Sequence, residues 1–134
     1  MPTLAARRLA LACLWAAGTA LAAPGELLSI DWSTEGGFER TVPVPPGRFA
    51  EACGPLPAGQ AVDWRFEASA PLDFNVHFHV GPDVRYPARQ AAVRQASGTL
   101  EAPLAQDYCW MWTNRAAQPA TLTLRLQQIG RAHV

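Results

Sequence analysis

Apolar and polar residues alternate with a period of two in four segments of the chain, which predicts half-buried β-strands. Because residues i and i+2 of a strand point to one face, the apolar residues of each segment should turn together toward the interior. These segments cover residues 62–69, 74–80, 108–113 and 121–127. We therefore expect one shared core formed by Trp64, Phe66, Phe74, Val76, Phe78, Leu122, Leu124 and Leu126.

Weaker strand patterns precede these segments. Residues 28–33 alternate apolar and polar side chains, and residues 38–44 form a second short run. Pro43 predicts an edge strand there, because proline cannot donate a hydrogen bond to a neighbouring strand. Residues 54–59, just after Cys53, contain two prolines and two glycines and are predicted to be irregular.

Residues 88–96 are the ambiguous part of the pattern. They are rich in Ala, Gln and Arg, which favour helix, so a short helical turn and a hairpin loop both fit. Strands are predicted on either side, at residues 84–86 and 98–102. With seven or eight short strands separated by Pro and Gly turns, the chain is predicted to be all-β, an antiparallel β-sandwich.

The N-terminus has the features of a cleavable export signal. The basic pair Arg7-Arg8 precedes an apolar run over residues 9–17. Ala20 and Ala22 then provide the small residues that signal peptidase requires at positions −3 and −1. We predict that residues 1–22 are a signal peptide and that the protein is periplasmic or secreted.

Cleavage after Ala22 would leave residues 23–134 as a single β-sandwich domain. The apolar run is too short for a comfortable membrane span, so no stable span is expected after cleavage. Cys13 is interpreted as part of the signal, because too few apolar residues precede it for a lipidation signal. The sequence does not separate general export from a twin-arginine signal.

Cys53 and Cys109 are the two cysteines that remain after cleavage. In an oxidising compartment, an even pair without CxxC spacing predicts a structural disulfide. The alternative is a pair of metal-binding thiolates, which would need further Cys or His residues at metal-ligand spacing.

Charge and motifs narrow the classes of function. The chain has eleven basic and eleven acidic residues, and every basic residue is an arginine. No basic patch stands out, which argues against nucleic-acid or anionic-membrane partners. Signatures of nucleophilic serine, zinc-protease and nucleotide-binding enzymes are absent, so we expect a non-enzymatic protein.

Two sandwich families fit parts of the pattern. Cys53, Trp64 and Cys109 have the spacing of an immunoglobulin Cys…Trp…Cys core, although the Gly-Pro after Cys53 does not suit a mid-strand cysteine. Over residues 53–127, a cysteine before a Gly-containing turn is followed by two strands and a Gly-led return. The segment Tyr108-Cys-Trp-Met-Trp-Thr-Asn114 and a last strand over residues 122–126 then close the domain. This order resembles the GOLD domain, a β-sandwich of lumenal cargo adaptors and lipid-transfer proteins.

The GOLD resemblance implies a jelly-roll-type sandwich used for binding, with Cys53 and Cys109 in the places of the paired cysteines of lumenal members. The coiled coil and membrane span of the cargo adaptors are not found in the sequence, so their trafficking role does not carry over. The predicted function is an exported binding module, and the partner is an unknown protein or small ligand.

His77 and His79 suggest an alternative function. They lie two residues apart in a predicted strand, so both imidazoles should project from the face opposite Phe78. Two neighbouring imidazoles begin a metal site, and Met111 could add a thioether, which favours copper. The alternative interpretation is therefore a periplasmic copper-binding protein; without a metal, both histidines are ordinary polar residues on a wet face.

Tyr108, Trp110 and Trp112 form the last candidate site. Their strand is apolar on both faces, so one face could be an exposed binding patch. The competing interpretation is that these aromatic side chains fill the core and pack on the disulfide. Asn114 is expected to cap the strand end through an Asx-type turn.

Overall fold

A computed structural model describes residues 23–130, and its secondary structure there is entirely β. The predicted signal peptide and His133 lie outside the described residues. No helix in the described range is long and apolar enough to cross a membrane. The seven strands are β1 (Ala23–Ser29), β2 (Gly37–Val44), β3 (Arg48–Leu56), β4 (Ala61–Val80), β5 (Asp83–Glu101), β6 (Gln106–Thr113) and β7 (Ala120–Ile129).

The strands form one hydrogen-bonded path, β1-β3-β6-β4-β7-β2, and β5 pairs with β4. All pairs are antiparallel except β1 with β3, which is parallel. Strand β4 pairs with β7 over residues 61–68 and with β6 over residues 73–77. It therefore belongs to both layers of the sandwich.

We name the layers by their strands. The first layer contains β2, β7, the first half of β4 and the end of β5. The second layer contains β1, β3, β6, the second half of β4 and the start of β5. Between the two halves of β4, the register of its pairing with β5 shifts between Glu67 and Leu72. Pro71, in the same stretch, has no backbone N–H to donate to a neighbouring strand. This irregularity lets one strand pass from one layer to the other.

The core lies between the two layers. The ring centroid of Phe74, in the second layer, is 4.9 Å from that of Trp64 and 4.7 Å from that of Phe66, both in the first layer. Trp112 stacks on Phe74 with centroids 5.5 Å apart. All eight residues expected to share a core are buried in one cluster, so that prediction is confirmed.

The disulfide between Cys53 and Cys109 is also confirmed. The two cysteines are direct partners across β3 and β6, with Cα atoms 4.1 Å apart. The bridge therefore joins neighbouring strands of one layer, whereas the immunoglobulin bridge links two sheets. The immunoglobulin alternative is wrong for this reason, and so is the interpretation of the cysteines as metal-binding thiolates.

Three local predictions were wrong. Residues 88–96 are neither loop nor helix but part of β5, an edge strand whose largely exposed side chains show no clear alternation. Residues 54–56 continue β3 rather than forming an irregular piece. Strand β1 ends at Ser29, before the predicted residue 33.

The region around β3 was missed because small residues face its interior side. Ala50, Ala52 and Gly54 are buried but contribute little hydrophobic signal. A Cβ on Gly54 would lie 2.7 Å from the Cβ of Ile30, so the close approach of the chain at Ile30 requires glycine. In contrast, the edge position predicted from Pro43 is confirmed, since β2 ends the hydrogen-bonded path.

Asn114 caps the end of β6 as expected. Its Oδ1 accepts a hydrogen bond from the backbone N–H of Ala116 at 2.9 Å, the geometry of an Asx turn. Its buried Nδ2 also donates to the carbonyl oxygens of Val44, at 2.9 Å, and Gln118, at 2.8 Å. One side chain thus ties the β6–β7 connection to the end of β2.

Candidate functional site

The outer face of the first layer carries a polar groove. Two cavities of about 420 and 980 Å³ share Arg65, Ser97 and Arg125 as lining residues, so they form one continuous depression across β4, β5 and β7. We call it the arginine groove. Short hydroxyl side chains from β5 and β7, including Ser97 and Thr123, leave space beside the two arginines.

The two arginines are direct partners across β4 and β7. Like charges placed opposite each other on neighbouring strands are destabilising. Arg125 is compensated, because its Nε donates to Glu39 Oε1 at 3.0 Å. Within residues 23–130, no ion pair or side-chain hydrogen bond engages Arg65, although Glu67 also lines the groove. Arg65 is therefore an exposed cation of this groove without a carboxylate partner, and Arg40, which also lines the groove, donates one N–H to the carbonyl oxygen of Glu39.

The outer face of the second layer carries the predicted histidines. His77 and His79 project to the same side of β4, and their ring centroids are 5.7 Å apart. Met111 lies on the adjacent strand β6, where it is the direct partner of Asn75. The structure therefore brings all three predicted metal-ligating residues to one face, and the metal itself remains a hypothesis.

A further residue, Glu51, reaches this face from β3. Its Oε2 lies 3.6 Å from His77 Nε2, a separation too long for a hydrogen bond. On the other side of the ring, His77 Nδ1 lies 2.7 Å from Asn75 Oδ1. Because an amide oxygen can only accept, Nδ1 carries the proton and Nε2 of the neutral ring presents its lone pair toward Glu51. We call Glu51, Asn75, His77 and His79 the histidine cluster.

Burial changes the ionisation of this cluster. Desolvation lowers the pKa of His77, and the neighbouring His79 lowers it further. Desolvation also raises the pKa of Glu51, an effect that His79 partly offsets. Both pKa shifts have the same main cause: burial removes water that would solvate the charged form of either side chain. Both directions favour the uncharged form of each group.

His77 is more enclosed than a residue on a wet face. Only 9% of it is exposed, whereas His79 is exposed. The ring of Tyr86, from β5, lies 6.1 Å from that of His77, and the Arg89 guanidinium stacks 3.8 Å over Tyr86. The interpretation of both histidines as ordinary surface residues is therefore wrong for His77.

Sequence analysis missed Glu51 because its strand was not recognised. The available signal is its position two residues before Cys53, which places both on one face of any strand through that cysteine. Glu51 Oε1 does lie 3.4 Å from Cys53 Sγ. Within the described range, Glu51, Cys53 and Cys109 also form the one close group of three residues with metal-ligating atoms. The two sulfurs are bonded to each other, so they cannot serve as thiolate ligands.

The aromatic residues of β6 do not form a surface patch. Tyr108 and Trp110 are 0% exposed and Trp112 is 1% exposed. They fill the core, which was the competing interpretation, because their side of β6 faces the first layer. Tyr108 also donates its hydroxyl hydrogen to the carbonyl oxygen of Leu104 at 2.7 Å.

Comparison with models of protein families finds no match, and comparison with curated proteins finds none either. The GOLD resemblance is thus not confirmed. Among solved structures, the chain is similar to PliG of Aeromonas hydrophila, a periplasmic inhibitor of g-type lysozyme. That match has a TM-score of 0.63 and 15% identity, and it covers 78% of this chain and 96% of the other.

Two further solved structures extend this similarity. The pre-peptidase C-terminal domain of a Bacillus anthracis collagenase matches with a TM-score of 0.56 and 13% identity over 78% of this chain and 97% of its own. PliG of Salmonella Typhimurium matches with a TM-score of 0.55 and 13% identity over 78% and 99%. At these identities the similarity establishes a shared fold: an all-β sandwich, here closed by one disulfide.

Proposed function

We propose that this chain is an exported, non-enzymatic binding module that contacts a protein partner through the arginine groove. The observation that supports the proposal most directly is that Arg65 and Arg125 lie opposite each other on neighbouring strands. Of the two, Arg125 has a carboxylate partner, Glu39, and Arg65 has none among the described residues. A partner carboxylate seated on Arg65 would form a charge-assisted hydrogen bond and relieve the repulsion between the two guanidinium groups.

The solved structures of the same fold support a protein as the partner. PliG from Aeromonas hydrophila and from Salmonella Typhimurium are both described as periplasmic inhibitors of g-type lysozyme. Glycoside hydrolases carry carboxylates at their active sites, the chemistry that Arg65 suits. The predicted signal peptide and the disulfide are consistent with a location outside the cytoplasm. A g-type lysozyme is therefore the partner to test first.

The experiment measures g-type lysozyme activity on bacterial cell walls with increasing amounts of the purified protein, and direct binding by biolayer interferometry. We expect inhibition by the wild type and its loss in Arg65→Glu, which replaces attraction by repulsion. Arg85→Glu is the matched control, because Arg85 is an exposed arginine on the part of β5 that belongs to the second layer.

The possible outcomes test the identity of the partner and the contact surface separately. A wild-type protein that neither binds nor inhibits the enzyme would exclude g-type lysozyme as the partner. Binding that survives Arg65→Glu, or that Arg85→Glu weakens equally, would exclude the arginine groove as the contact surface.

A further inference from the structure

We infer that Glu51, His77 and His79 form a binding site for a divalent transition-metal ion of the zinc or copper(II) class. The site lies on the outer face of the second layer, whereas the arginine groove lies on the outer face of the first. The inference is therefore independent of the proposed protein partner, and either can fail without the other.

The main argument is that two electron-pair donors face each other in a partly buried place. The bond from Nδ1 to Asn75 turns the Nε2 lone pair of His77 toward the carboxylate of Glu51. An unshared lone pair and a carboxylate oxygen repel unless a proton or a cation lies between them. At 3.6 Å the two atoms are too far apart to share a proton in a hydrogen bond.

The same separation suits a metal ion. Two ligand atoms about 2.0–2.1 Å from one zinc at tetrahedral angles lie roughly 3.4 Å apart. The observed 3.6 Å between Nε2 and Oε2 needs only a small adjustment of the Glu51 side chain to reach that value. The ion and these two ligands would thus meet without movement of the backbone.

Asn75 plays the part of a positioning residue. Histidines that bind a metal through one ring nitrogen usually donate the other N–H to an oxygen, which fixes the tautomer and the ring orientation. The 2.7 Å contact between His77 Nδ1 and Asn75 Oδ1 provides this second interaction before any ion binds. On the side of β5 the Tyr86 ring flanks His77, with ring centroids 6.1 Å apart, and the Arg89 guanidinium stacks on Tyr86.

His79 can complete the donor set from the exposed side once its ring turns, because as placed its nitrogens do not lie within 4.8 Å of both other ligand atoms. Its ring centroid is 5.7 Å from that of His77, and the two rings are nearly perpendicular. Because His79 is exposed, rotation about its side-chain torsions can direct a nitrogen toward the ion, and the open side provides an entry path.

The donor types decide the class of ion. Two imidazoles and one carboxylate suit zinc and copper(II), and a His2Glu set with an open fourth position is an established zinc arrangement. A site built on Met111 would instead favour copper(I), because a thioether is a soft ligand. Glu51 thus changes the expected ion from copper(I) to zinc or copper(II). Comparing the metal affinities of the Glu51 and Met111 variants distinguishes the two sites.

The test is calorimetric titration of the oxidised protein, purified without a polyhistidine tag, with Zn²⁺ and separately with Cu²⁺. We expect one ion per chain for the wild type. Glu51→Gln keeps the shape but removes the charge, and we expect at least about a tenfold loss of affinity from it and from Asn75→Ala. His79→Ala should lose affinity as well, while Met111→Leu should bind Zn²⁺ as the wild type does.

Two control variants change a carboxylate or a histidine outside the histidine cluster. Glu67→Gln removes a carboxylate from the other layer, and His133→Ala removes the third histidine of the chain; neither should change binding. Circular dichroism and thermal unfolding of each apo-variant establish that it is folded. In the wild type, saturating Zn²⁺ should raise the unfolding temperature, because an ion that binds only the native state stabilises it.

Several results would overturn the inference. One is a wild type that binds neither ion. Another is a folded Glu51→Gln variant with wild-type affinity for both ions. A third is a loss in Met111→Leu or His133→Ala with no loss in Glu51→Gln, which would place the ion elsewhere.

Discussion

The indole of Trp64 lies over Gly98, its direct partner across β4 and β5. A Cβ on residue 98 would stand 2.6 Å from Trp64 Cζ2 and 2.9 Å from Cε2, closer than nonbonded carbon atoms approach. Trp64 also packs on Phe74 from the other layer, so its ring cannot retreat into free space. The absence of a side chain at Gly98 is thus a condition for the core to close.

Gly98→Ala should therefore destabilise the protein by about 1–3 kcal/mol, because the added methyl group overpacks the core against Trp64. The free energy of unfolding in urea measures this. Gly37→Ala is a suitable control, since its nearest neighbour is the flexible Gln127 side chain at 3.3 Å. Equal stability of the two variants would contradict the packing described.

Asn114→Ala should also destabilise the fold, for a different reason. It leaves the carbonyl oxygens of Val44 and Gln118 and the N–H of Ala116 without their partner. Each buried polar group left unsatisfied costs about 1–3 kcal/mol. Asn114→Asp keeps the acceptor for Ala116 but loses both donated bonds, so it should also be less stable than wild type in urea unfolding. A neutral effect of both changes would show that this side chain does not secure the β6–β7 connection.

Removing the disulfide with Cys53→Ala and Cys109→Ala should lower the free energy of unfolding by about 4 kcal/mol in the chain-entropy model. The cysteines are 56 residues apart in sequence, so the bridge restricts a large part of the unfolded chain. Guanidinium unfolding of the double variant measures the loss. The wild type under reducing conditions should show a similar decrease; if reduction leaves the unfolding midpoint unchanged, the predicted contribution is wrong.

Asp73 should make stability depend on acid pH. Burial tends to raise the pKa of its carboxyl group, but hydrogen bonds from the Arg115 side chain and the Ala92 backbone, with the Arg115 charge, lower it overall. Its contribution is therefore complete above the unfolded-state pKa and is lost as pH falls through the lower folded-state pKa. Urea unfolding across that acid range should show wild type losing its advantage over Asp73→Asn. Parallel stability curves for the two proteins would refute the assignment.

The sandwich class and most of its interior could be predicted from the sequence. The alternation in residues 62–69 and 121–127 identified buried and exposed faces that the structure confirms, and Pro43 marked an edge strand. The full extent of edge strand β5 and of strand β3, with its alanine-rich inner face, was not predicted, because neither strand buries large apolar side chains at alternate positions. The parallel pairing of β1 with β3 has no local signature in the sequence either.

The sequence by itself determined which side chains share a face within each strand, because the direction of successive side chains is a local property of extended backbone. It therefore put His77 and His79 together, opposite Phe78. Only the tertiary structure decided which strands are neighbours, and with it the meeting of Glu51 with His77 and of Arg65 with Arg125. Pairing between distant segments depends on how both layers pack around one core, and no local pattern encodes that.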